Sequence, residues 1–203
     1  MTMVSPQTRI HLTEQFVIEE PASSIFYDLY LEVFGPLRYA AAARHVLDRN
    51  EWDEEMRDHR IMKIVAWDDS TPVGISMLAL DLAAVPWASP EFYGARYGSR
   101  PVYYCGVSLV LSEYQGLSVF SSMMRRAFDV IRRDGALGAW DCAAVTQTHT
   151  KLVDKLRTFA GDEYPFDPEV VDTQSYYVVD LCDPPEQSDV IDLREPAPSR
   201  RWS

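Results

Sequence analysis

From Arg9 to Ile18 apolar and polar residues alternate, with Ile10, Leu12, Phe16 and Ile18 on matching parity, which predicts an edge strand. Pro21 opens a helical stretch in which Ile25, Phe26, Leu29, Tyr30, Val33 and Phe34 form one apolar stripe. Gly35-Pro36 interrupts that stripe, and Arg38 to Leu47 reads as a second, alanine-rich helix. A short acidic helix follows, with Asn50 as its cap and Asp53 and Glu54 near its start. Arg60 to Trp67 is apolar on both faces, with Met62, Ile64 and Ala66 on one and Ile61 and Val65 on the other, so it belongs in the middle of a sheet. Asp68 to Pro72 is turn chemistry, and Val73 to Leu82 is the returning strand.

Ala83 to Arg100 breaks the periodicity with Pro86, Trp87, Pro90, Phe92, Tyr93 and Tyr97. Such an insertion either covers a binding cleft or seals the core with its aromatics. Pro101 to Leu111 is a strand, followed by a polar turn. The next helix starts at Val119 and buries Phe120, Met123, Met124, Ala127, Val130 and Ile131. Leu137 to Val145 is a strand, Thr148 to Phe159 a helix and Gln174 to Leu181 a final strand. Neither a repeat nor a second domain is visible. The expected organisation is one domain over 1–182 and a polar, proline-rich tail over 183–203. The order of elements is that of an α/β sandwich with a mixed sheet rather than a doubly wound one.

Between Val107 and Trp140 a strand runs through a short turn into a helix. The first N–H groups of that helix, with the positive end of its dipole, suit a phosphate. The segment resembles the acyl-CoA-binding core of the GNAT superfamily of N-acyltransferases, whose strand ends in a loop of pattern (Gln/Arg)-x-x-Gly-x-(Gly/Ala). The loop here is Gln115-Gly116-Leu117-Ser118-Val119-Phe120. Its glutamine fits, whereas Ser118 and Phe120 occupy positions that the family gives to small residues. The resemblance spans about residues 9 to 181 and includes Gly74 soon after the turn. It implies a GNAT-type mixed central sheet with splayed middle strands flanked by helices, and acetyl-CoA or another acyl-CoA as co-substrate. It further implies that Leu109, Val110 and Leu111 offer backbone hydrogen bonds to the pantetheine arm, and that the N–H groups of Leu117 to Phe120 meet the pyrophosphate. Gly116 permits the tight turn, Ser118 is expected to cap the helix, and Phe120 must rotate into the core for phosphate to approach.

Acyl transfer to an amine needs a base for its proton and often an acid for the departing thiolate. Family members commonly carry a tyrosine within Asn-x-x-Ala-x-x-Leu-Tyr. That pattern places Thr146 at the asparagine and Val153 at the tyrosine, and neither can serve. The candidates for the chemistry are His149, Tyr104, Glu113 and Asp141. His149 would titrate near neutrality, or it is a surface residue at a helix start. Glu113 is a base or a solvated turn residue, and Tyr104 an acid or core packing. Asp141, beside Trp140 in an apolar strand, has a partner or a shifted pKa, unless the alternation turns it to solvent.

Charge narrows the partners. Of 203 residues, 31 are acidic and 19 basic, a net charge of −12, which disfavours nucleic acid and anionic membranes and favours a cationic amine. Cys105, Cys142 and Cys182 lack CxxC spacing and, with a polar N-terminal stretch, suggest reduced thiols and a cytoplasmic protein. The longest apolar run, Val73 to Trp87, is broken by Ser76, Asp81 and Pro86 and cannot span a bilayer. The sequence has no phosphate-binding GxxxxGK[ST], no GxGxxG, no GxSxG and no histidine spacing for a metal. The expected activity is N-acyl transfer, most simply N-acetyl transfer, to a small-molecule or peptide amine. Two rivals remain open: a GNAT-fold binding or regulatory protein without activity, and an acyltransferase using a longer acyl chain or an acyl carrier protein. A homodimer also remains open.

Overall fold

The structure, a computed structural model, describes residues 10–42, 45–144, 147–148 and 151–179. Strands β1 (Ile10–Gln15), β2 (Ile61–Asp68), β3 (Thr71–Ala79), β4 (Val102–Val110) and β5 (Leu137–Ala139) form one sheet in the order β1-β2-β3-β4-β5. The first three pairings are antiparallel and β4 with β5 is parallel. A strand that is apolar on both faces needs cover on both, and β2 and β3 are buried almost throughout.

Helices α1 (Ala22–Phe34) and α2 (Arg49–Arg57) cover one face, burying Phe26, Tyr30, Trp52 and Met56 against Val65, Ile75 and Met77. Helices α4 (Val119–Arg133) and α5 (Leu152–Ala160) cover the other, with Met123, Ala127 and Leu156 against Ile64, Val73 and Leu78. Lys63, fully buried on β2, donates from Nζ to Phe16 O and Asp58 O, both at 2.9 Å, and so ties the chain after β1 to the chain after α2. The indole of Trp52 donates to Ser23 O and Oγ at 3.2 Å, satisfying its one polar atom within the core.

Several expectations are corrected. The second helix over Arg38 to Leu47 is absent from its described part: a 3-10 turn covers Gly35–Arg38, Tyr39 is 95% exposed and residues 45–48 are irregular. Alanine favours helix, but this run has no apolar stripe to bury, and short helices need one. The cap of α2 is Asp48 rather than Asn50. Its Oδ1 accepts from the N–H groups of Asn50 and Glu51, and Glu51 Oε2 accepts from Asp48 N–H, a reciprocal capping box. Within the aperiodic insertion lies a short helix, α3 (Pro90–Tyr97), capped by Ser89. The expected strand from Leu137 to Val145 pairs for three residues only.

The chain divides into two units, residues 1–171 and 172–203. In the second, residues 174–179 of the expected final strand carry no regular structure, and 180–181 lie outside the described residues, as does the tail over 183–203. Alternation there supplies strand propensity, but a strand forms only against a partner ladder.

Candidate active site

The site begins with an irregularity in β4. Ser76 pairs with Ser108 but Leu78 pairs with Cys105, so β4 carries one extra residue between those positions, at Gly106 or Val107. A bulge bends its strand and raises the local twist. The pairing of β5 with β4 ends nearby, at Tyr104 with Ala139, while β4 continues to Val110. The two strands therefore part beyond Tyr104. Leu111 N–H donates to Val73 O on the β3 side. By alternation, Val110 and Ser108 turn their backbone groups to the other, open edge, where Gln115 Nε2 reaches Val110 O at 3.4 Å. Of the three expected pantetheine partners, Val110 lies on that edge. Leu111 N–H is committed elsewhere, and Leu109 is buried in the core against α1 and α2.

At the far end of the open edge the chain enters α4 through Gln115-Gly116-Leu117-Ser118. Gly116 (φ +82°) and Ser118 (φ +62°) both lie in the left-handed region. Tyr114 donates from its hydroxyl to Asp68 Oδ2 at 2.8 Å, pinning the loop to the β2–β3 turn. The first bond into α4 runs from Ser122 N–H to Ser118 O, so the N–H groups of Val119, Phe120 and Ser121 open the helix toward the loop. Ser118 makes no side-chain cap, contrary to expectation, because its left-handed backbone is not the extended geometry a capping side chain requires. Leu117 N–H goes to Tyr114 O. Phe120 packs into the core against Phe159, ring centroids 5.7 Å apart, and so stands clear of the loop. Gly74 supports this end from below: a Cβ there would lie 3.2 Å from Leu109 O and 3.3 Å from Val119 Cγ1.

At the near end, the structure brings together two of the four sequence candidates. Val102 and Tyr104 sit on the α1–α2 face, as do Leu137 and Ala139 of β5, and the same parity carries Asp141 to that side. The Tyr104 hydroxyl donates to Asp141 Oδ1 at 2.5 Å and accepts from Trp87 Nε1 at 3.0 Å. Burial, and then the Asp141 carboxylate, push the Tyr104 phenol far above the ordinary tyrosine range, so it stays protonated and keeps donating. Asp141 itself is exposed.

Glu113 is not part of this group. It sits beyond the other end of β4, roughly 20 Å from Tyr104 by strand rise, with its carboxyl held below the usual range by its own backbone N–H and Ser112. His149 and Thr146 lie outside the described residues. Cys105 is no nucleophile, since burial pushes its thiol up to about 12.

Two groups escaped the sequence reading. Trp87 stood in the insertion without periodicity to assign it. Gln147, one residue after the position that the family pattern gives to asparagine, has a buried Oε1 with no hydrogen-bond partner among the described residues.

No family model and no curated protein matches the chain by sequence. Solved structures do match by fold. A possible acetyltransferase from Clostridium difficile 630 aligns over 84% of this chain and 99% of its own, with TM-score 0.55 and 10% identity. An aminoglycoside N-acetyltransferase solved with CoA aligns over 89% of this chain and all of its own, with TM-score 0.52 and 11% identity. An aminoglycoside acetyltransferase from a soil metagenomic sample, solved with sisomicin, aligns over 84% of this chain and 97% of its own, with TM-score 0.50 and 12% identity. The five-stranded mixed sheet, its bulged and parting β4 and the loop leading into α4 thus give this chain the GNAT fold of acetyltransferases.

Proposed function

We propose that the chain is an acyl-CoA-dependent N-acyltransferase, most simply an N-acetyltransferase, acting on an amine. One observation carries this reading: the open edge of β4 joins the entrance of α4 at one end to the Tyr104–Asp141 pair at the other. The residues fit an acyl-CoA. Gly116 and the first turn of α4 would hold the pyrophosphate, and Ser108 and Val110 would offer backbone groups to the pantetheine arm. Gln147 Oε1 is a buried acceptor that an amide N–H of such an arm could satisfy. The bound acyl-CoA supplies an activated thioester carbonyl.

Asp141 is the base. Its carboxylate takes the proton of the acceptor amine, directly or through one water, as the C–N bond forms and the C–S bond breaks, and the departing thiolate takes a proton from water. Tyr104 positions Asp141 by donating to Oδ1, which orients the carboxylate. A small-molecule acceptor is supported by the sisomicin-bound neighbour and by the excess of acidic residues.

The test is release of free CoA thiol from acetyl-CoA in the presence of a panel of amines, with Asp141→Asn alongside. Turnover that falls at least a hundredfold in the variant supports the assignment. Binding of acetyl-CoA without turnover for any amine would leave a non-catalytic binding protein of this fold.

A further inference from the structure

The aromatic insertion between β3 and β4 packs on one face of the sheet. Ala84, Val85, Ala88 and Tyr93 all pack on the α1–α2 face of the sheet, together with Tyr104, whereas the entrance of α4 lies on the opposite face. An acyl chain entering from the α4 side would not meet this wall first; an amine approaching Asp141 would.

Building on the transferase reading, we propose that the acceptor is an arylalkylamine, a primary amine with a flat aromatic group a short chain from the nitrogen, and that Trp87 selects it. Three observations combine. First, Trp87 Nε1 and Asp141 Oδ1 lie 3.0 and 2.5 Å from the same Tyr104 oxygen, so a carboxylate and an indole edge stand within about 5.5 Å of each other. An ammonium at the carboxylate thereby brings its substituent onto the indole.

Second, Trp87 is 63% exposed although its N–H is bonded, and its ring plane stands at 78° to that of Tyr104 rather than stacked on it. An exposed aromatic face held in place by its own polar atom is surface for a ligand to cover.

Third, a cleft of about 340 Å³ opens beneath α3, lined by Leu82, Pro90, Tyr93 and Val102. Val102 shares its strand face with Tyr104, two residues or roughly 7 Å away, and Tyr93 acts electrostatically on the Tyr104 hydroxyl. Two charged groups line this cleft: Asp81, whose Oδ1 accepts from Ala83 N–H, and Arg100, which donates to Gly135 O and Ala136 O. Leu80, Leu82, Pro90, Tyr93, Pro101 and Val102 give the cleft the apolar contacts an aryl group would use, beside Ser99.

The test uses the full chain with CoA present. Tryptamine, butylamine and putrescine are titrated by calorimetry into the wild type, Trp87→Leu and Trp87→Phe, and acetyl-CoA turnover is measured with the same amines. Tryptamine is expected to bind at least tenfold more tightly than butylamine or putrescine. The difference should shrink to about twofold in Trp87→Leu and survive in part in Trp87→Phe, which keeps a ring but loses the N–H to Tyr104. Unchanged CoA affinity in the variants reports an intact fold. Equal or tighter binding of butylamine or putrescine, or a tryptamine preference that persists in Trp87→Leu, overturns the inference. Turnover without aryl preference overturns it while leaving the transferase reading intact. Aryl preference in binding without turnover of any amine supports it and defeats the transferase reading instead.

Discussion

At the scale of single residues, the proposed chemistry rests on an exposed carboxylate that accepts from a phenol which burial keeps protonated. Asp141→Asn keeps the shape and removes the proposed base, so kcat should fall about 10²–10⁴-fold with little change in CoA affinity. Tyr104→Phe removes the positioning bond to Asp141 together with the acceptor of Trp87 Nε1–H. It should lower kcat by about tenfold and leave CoA affinity unchanged, a split that general misfolding would not produce. Ser118 is the opposite kind of residue: its left-handed backbone (φ +62°) costs energy without the compensation of a capping side chain. Ser118→Gly should therefore raise stability by about 0.5–1 kcal/mol, read as a higher midpoint in urea unfolding.

At the scale of elements, the site depends on how β4 leaves its neighbours and how closely α4 approaches them. Gly74 has room for no side chain, since a Cβ would press on Leu109 O, Met123 Cε and Val119 Cγ1 at 3.2–3.3 Å. Gly74→Val should push the first turn of α4 outward, costing about 1–3 kcal/mol of stability. It should also weaken acetyl-CoA binding more than Phe120→Ala does, because the Phe120 ring packs on Phe159, away from the loop.

These elements were unequally legible in the sequence. The two-sided apolar character of Arg60 to Trp67 and the stripe from Val119 to Ile131 are local signals, and β2 and α4 follow them. The early end of β5 is not local: Leu137 to Val145 continues to look like a strand, but its partner bends away at a bulge that only the β3–β4 register reveals. The same holds for Asp141, whose parity was readable but whose partner, 37 residues earlier, was not. Asp48 and Asn50, two residues apart, are both good cap residues, and the glutamate three residues after Asp48 decides between them.

At the scale of the molecule, a half-buried carboxyl, Glu55, and a buried ammonium, Lys63, give stability a particular pH dependence. Burial, reinforced by Asp58 and Glu51 and opposed by Lys63, raises Glu55 from 4.5 to about 7. Burial likewise lowers Lys63 from 10.5 to about 8, against the pull of Asp58 and Glu55. A carboxyl raised in the folded state contributes stability that is complete below pH 4.5 and lost as pH rises through 7. An ammonium depressed in the folded state contributes stability that is complete above pH 10.5 and lost as pH falls through 8. The melting temperature should therefore decline between pH 4.5 and 7 on account of Glu55, and Glu55→Gln should flatten that decline when melting is followed across the range.

The proposed function requires that the parted edge of β4 and the entrance of α4 form a working acyl-CoA site. Calorimetric titration with acetyl-CoA, comparing the wild type with a Gln115→Ala, Ser118→Glu double variant, tests it most directly. Micromolar binding is expected for the wild type, and its loss in the variant, whose added carboxylate would face the pyrophosphate position. Absence of binding to acetyl-CoA, octanoyl-CoA and free CoA alike, with the protein folded, would contradict it.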